Sequence, residues 1–72
     1  MTRVEHIAWC KQRALQYVTA NDLSQAYASM LSDLGKHPET VRHPGKDLMV
    51  QFMVSGHLRT ARQMREFIEG FN

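Results

Sequence analysis

The segments Val18-Thr19-Ala20-Asn21-Asp22-Leu23-Ser24-Gln25-Ala26 and Met53-Val54-Ser55-Gly56-His57-Leu58-Arg59-Thr60-Ala61 read alike and lie thirty-five positions apart. Each runs from an apolar helix end through turn formers into a residue that can cap a new helix, after which apolar and small residues resume. Self-similarity at a period near 34 residues is how paired-helix architectures show themselves in sequence. The chain is therefore predicted to form two helical hairpins. Its 72 residues leave room for one small domain, residues 1–72, near the lower limit at which a hydrophobic core offsets conformational entropy.

Start and stop signals divide the chain into four helices. Thr2 and Glu5 match a capping box, and Val4, Ile7, Ala8, Lys11, Ala14, Leu15 and Val18 form a helical stripe to about Thr19, with the Lys11 stem lying along apolar surface. Asn21-Asp22 supplies a turn and a cap, Gln25 follows Asp22 at capping-box distance, and Leu23, Ala26, Tyr27, Met30, Leu31 and Leu34 keep the helical rhythm up to Gly35. Residues 36–43 have no helical period and are bracketed by two His-Pro pairs, so they read as a loop with Pro44 in the first turn of helix three. Leu48, Met49, Phe52 and Met53 define that helix's expected buried face, and Gly56 its end. Thr60 and Gln63 open helix four, whose stripe of Ala61, Met64, Phe67, Ile68 and Phe71 implies a docked C-terminal end, Phe71 and Asn72 included. The expected fold is all-α: four short helices as two antiparallel hairpins, arranged as a compact bundle or a minimal repeat-like stack.

Cys10 is the only cysteine, which excludes an internal disulfide and the paired-cysteine spacing of zinc and redox sites. A small core without such staples gains from association, so a homo-oligomer is an expected state. Nine Lys and Arg against seven Asp and Glu give a formal charge of +2, too mild to dictate a nucleic-acid partner. No apolar run is long enough to span a bilayer and the N-terminus lacks signal-peptide character, so the expectation is a cytoplasmic protein with no membrane partner.

The segment from Ala14 to Tyr27, with Asn21 at the turn and Leu23 and Ala26 on the following helix, resembles the turn region of a tetratricopeptide repeat. It departs from that family at the bulky Trp and Gly-Tyr positions of the first helix, and the second copy departs further. The chain as a whole, above all Val4-Glu5-His6-Ile7-Ala8-Trp9-Cys10-Lys11, Asp33-Leu34-Gly35-Lys36-His37-Pro38-Glu39-Thr40 and the segment from Met64 to Asn72, is similar to short bacteriophage-encoded proteins of unassigned function. That resemblance implies a protein made inside a bacterial cell and acting on a host protein. It brings no catalytic residue.

Four candidate sites follow from residue types. Trp9, Tyr17 and Met49 remain after the main stripes are assigned and are candidates for a partner-binding patch. Arg59, Arg62 and Arg65, with Lys46, are the candidates for phosphate contacts if helix four acts as a recognition helix. Cys10 and His6 stand one turn apart, the spacing of a thiolate pair, although a lone helical Cys more often packs as a small apolar group. His37 and His43 with Glu39 could converge in the middle loop, but His-Pro pairs serve equally as helix punctuation, and no pair has the His-x-x-x-His ligand spacing. With no catalytic, cofactor or metal motif assigned, the expected function is non-enzymatic protein association, a host protein being the partner. Nucleic-acid binding through helix four is the alternative, and a ligand site in the His37 to His43 loop a third.

Overall fold

A computed structural model of the chain describes residues 2–38 and 40–71. Four helices follow one another without strands among the described residues: α1 (Arg3–Thr19), α2 (Leu23–Leu34), α3 (Pro44–Ser55) and α4 (Ala61–Glu69). Their starts are those the caps dictate. The Thr2 hydroxyl accepts the Glu5 N–H while the Glu5 carboxylate accepts the Thr2 N–H, and these bonds hold the Glu5 carboxyl below its ordinary value. Thr60 and Gln63 form the same reciprocal pair, and Asp22 accepts the Gln25 N–H.

The internal repeat has a definite structural meaning. Asn21 (φ 58°) and Gly56 (φ 84°) are the two described residues at positive φ, and each ends a helix in the same way. Asn21 N–H donates to Val18 O and Asp22 N–H to Tyr17 O; Gly56 N–H donates to Met53 O and His57 N–H to Phe52 O. These are paired Schellman caps. Beyond them the copies diverge, because Asp22 is already the cap of α2 whereas Leu58 and Arg59 intervene before Thr60 caps α4. Leu58 turns inward and is buried.

α1 and α2 are antiparallel, with the His6 ring against the Asp33 carbonyl at one end, and their shared face includes the fully buried small residues Cys10, Ala14 and Ala26. α4 runs antiparallel to α1: Lys11 Nζ donates to Glu69 O and Phe71 O, capping the α4 C-terminus, and Arg65 reaches Thr19. Met30, Leu34, Met49, Leu58, Met64 and Ile68 fill the centre. The middle loop is closed by Thr40, fully buried, whose hydroxyl donates to Leu34 O at 2.6 Å.

The α1 stripe is rotated relative to expectation. Val4 and Ala8 are exposed, and His6 and Cys10 take the inward positions, because α1 packs on both α2 and α4 and its buried face is centred between them. Phe71 is docked as expected, while Asn72 lies outside the described residues.

Candidate functional site

α3 is apolar on more sides than one core can cover. Successive residues are 100° apart on a helix, so Met49 points inward with Phe52 and Met53 beside it, while Leu48 falls on one flank and Val50 and Val54 on the other. Only Met49 is buried, and three of the five large exposed apolar side chains of the described residues, Leu48, Val50 and Val54, lie on this helix. Its backbone stands off from the other helices, which α1, α2 and α4 do not do among themselves.

The gap between α3 and the antiparallel α4 is an open groove of about 630 Å³. Phe52 and Phe67 meet across it with ring centroids 5.1 Å apart, and Phe71 closes one end against Phe67 at 6.0 Å and His43 at 4.6 Å. His43 caps α3 through Nδ1, which accepts the Gly45 N–H at 2.9 Å. Gly45 is required by this packing, since a Cβ there would lie 2.4 Å from Phe71 Cζ. Leu48 and Pro44 complete the apolar wall, and the one carboxylate on the lining belongs to Glu66.

The residues singled out from sequence fall elsewhere. Met49 is fully buried and takes no part in any surface patch: it is the one α3 residue that points straight into the core. Trp9 and Tyr17 are half-buried. Trp9 is engaged within the molecule, stacked on His6 at 5.6 Å, with Arg13 Cζ 4.8 Å and Lys36 Nζ 5.6 Å from its ring centroid. Both cations are held there by Asp33, a buried carboxylate that accepts from Arg13 Nε at 2.8 Å, Lys36 Nζ at 3.1 Å and the Ser29 hydroxyl at 3.3 Å.

His6 and Cys10 do meet, at 3.6 Å between Nε2 and Sγ. The same Nε2 lies 2.8 Å from Asp33 O, and a carbonyl only accepts, so that nitrogen carries the proton and is no base for the thiol. Burial, and next the Asp33 charge, push the Cys10 thiol up to about 11, the opposite of an activated nucleophile.

The cations of the alternative reading are each engaged within the molecule. Arg62 pairs with Glu66 at 3.1 Å, Arg65 reaches α1, the Arg59 guanidinium folds over Gly56, and Lys46 Nζ donates to Val41 O in the middle loop. His37 stacks on His6 at 5.0 Å and His43 packs tilted against Phe71, so the two loop histidines serve different contacts. Glu39 lies outside the described residues, among which no group of His, Cys, Asp and Glu could hold a metal ion. No helix of the described residues is long and apolar enough to cross a membrane.

Sequence reasoning missed Asp33 and the groove. Asp33 has Ser29 and Lys36 within one turn, but nothing in the local sequence shows that it is buried or that Arg13, twenty residues away, pairs with it. Helical spacing places Leu48, Phe52, Phe67 and Phe71 in the core, because it reports apolar faces but not how closely two helices approach. No protein-family model, curated protein or solved structure matches the chain.

Proposed function

We propose that this chain is a non-enzymatic association module that binds a protein partner through α3, the partner being a bacterial host protein if the likeness to short phage-encoded proteins reflects its origin. The observation that carries the proposal is the imbalance of α3, a 12-residue helix that buries one side chain and exposes Leu48, Val50 and Val54. Apolar side chains left exposed on both flanks of one helix add to stability only when something covers them. The patch is displaced from the one expected around Trp9 and Tyr17, because the Trp9 ring is already engaged by His6, Arg13 and Lys36.

The test is capture from a bacterial lysate on the immobilised chain, compared with a Leu48→Ser, Val50→Ser, Val54→Ser variant whose circular dichroism matches the parent. The expected result is a protein retained by the parent and lost by the variant. Retention of the same proteins by both, or of nothing by the parent, overturns the proposal.

A further inference from the structure

We infer that the Val50 and Val54 flank of α3 docks on the same flank of a second copy of this chain, the two α3 helices running antiparallel about a two-fold axis. The inference rests on reading α3 as an association surface and assigns one of its two flanks, leaving the Leu48 flank beside the groove to another partner. The flank has the spacing of a coiled-coil seam. Asp47, Val50 and Val54 stand three and four residues apart, all three are exposed, and the valines keep 44% and 81% of their surface in water. Lys46, the neighbouring cation, is turned back onto Val41 O in the middle loop.

Charge selects the occupant and its direction. Asp47 lies in the first turn of α3 and the Arg59 guanidinium lies over Gly56, the cap at the other end, so this helix is acidic at one end and basic at the other. Neither side chain is in an ion pair among the described residues. Arg59 also borders the α1–α2 turn, where the Asp22 carboxylate is committed to the Gln25 N–H. With about 1.5 Å of rise per residue, a two-fold axis level with position 52 sets Val50 opposite Val54 of the second copy. The same axis sets Asp47 opposite the turn at Gly56 and His57, where the long Arg59 side chain of the second copy comes within reach, and symmetry makes the contact twice. A parallel pair would set Asp47 against Asp47 and Arg59 against Arg59. The face is complementary to itself in one direction only, and a second copy carries every group it calls for. Size sets the strength: a standard interface covers about 800 Å² of each partner, roughly a sixth of this chain's 4571 Å² surface, and one face of a helix about 18 Å long covers less. The dimer is therefore weak, with a dissociation constant expected at roughly 0.1–1 mM.

The experiment is sedimentation equilibrium of the full chain at up to about 2 mM in low salt, where exposed ion pairs are least screened. The mass should rise from monomer towards dimer and no further, and Val50→Ser with Val54→Ser should abolish the rise. Asp47→Arg or Arg59→Glu alone places like charges at both ends of the pair and should weaken the dimer at least about tenfold, whereas the two together re-create both contacts and should return the constant to within about twofold of the parent. Where a reversal disturbs the circular dichroism, Asp47→Asn and Arg59→Gln replace it: each should weaken the dimer about three- to fivefold, and both together no more than either alone, because they remove the same contact. A monomer at about 2 mM, or assembly beyond the dimer, overturns the inference and leaves the association reading to the lysate capture, which needs no self-association. A dimer retained by Val50→Ser with Val54→Ser lies on another surface and overturns it too. So does a dimer that the single charge changes leave as strong as the parent, or one that the paired changes fail to restore as stated, since its helices are not antiparallel in this register.

Discussion

The buried carboxylate of Asp33 should be worth more to the fold as a liability than as a bond. It is almost wholly removed from water, while the Arg13 and Lys36 side chains that neutralise it are 44% and 54% exposed. Replacing both cations by Met keeps their stems over Trp9 but leaves a buried, unpaired carboxylate, a change that costs about 3–5 kcal/mol in fully buried sites. The Ser29 hydroxyl still donates to it, so about 2–4 kcal/mol is expected here. Asp33→Asn instead frees two half-exposed cations to hydrate, each pair then being worth no more than about 1 kcal/mol, and keeps a carbonyl for Ser29. The order of stability should be parent, then Asp33→Asn, then Arg13→Met with Lys36→Met, and adding Asp33→Asn to the double variant should recover part of the loss. For a domain of this size each kcal/mol moves the midpoint by roughly 4–8 °C, so thermal melts followed by circular dichroism resolve the series. If the double Met variant melts no lower than Asp33→Asn, or the triple variant is the least stable of all, the carboxylate is not the costly partner and the reasoning fails.

Gly45→Ala gains helix propensity but forces a methyl against the Phe71 ring, so it should lower stability by about 1–3 kcal/mol in chemical denaturation and shift the Phe71 ring resonances. Gly56→Ala, at φ 84° and beneath Arg59, should cost about 1–2 kcal/mol, whereas Gly70→Ala, at φ −81° with only ordinary contacts, should be neutral or slightly stabilising. Cys10 should resist alkylation at pH 7 in the folded protein, its thiol being fully buried and raised to about 11, and should react at the rate of a free thiol in denaturant. The Glu5 carboxyl is depressed by its bonds to Thr2, so its contribution is present above its ordinary value of 4.5 and is lost as pH falls through the lower folded value. The difference in melting temperature between the parent and Glu5→Gln should therefore vanish in acid.

Helix boundaries were legible because they are written in local chemistry. Thr2, Asp22, Pro44 and Thr60 open helices, and Asn21 and Gly56 close them, through groups at most five residues apart. The inward face of α1 was less legible, since Val4 and Ala8 satisfy the same periodicity as His6 and Cys10, and only the positions of α2 and α4 decide between them. His6 is admitted to the interior by a bond to a carbonyl twenty-seven residues away, and Thr40 by one to Leu34 O across the loop. Polar side chains made inward by distant partners leave no mark on hydropathy.

The two hairpins begin from the same turn and end as different objects, and the reason lies in what each places between its helices. After Asn21, Asp22 caps at once and the facing residues include Cys10, Ala14 and Ala26, so α1 and α2 approach closely. After Gly56, Leu58 and Arg59 lengthen the connection, and the facing residues are Phe52, Phe67 and Phe71, whose rings hold the backbones of α3 and α4 apart. Interaxial distance follows the size of the side chains at the contact. Bulky rings in a longer hairpin therefore meet at tilted and edge contacts and leave a groove beside them. The first copy spends its apolar residues on the core, and the second leaves Leu48, Val50 and Val54 exposed on α3.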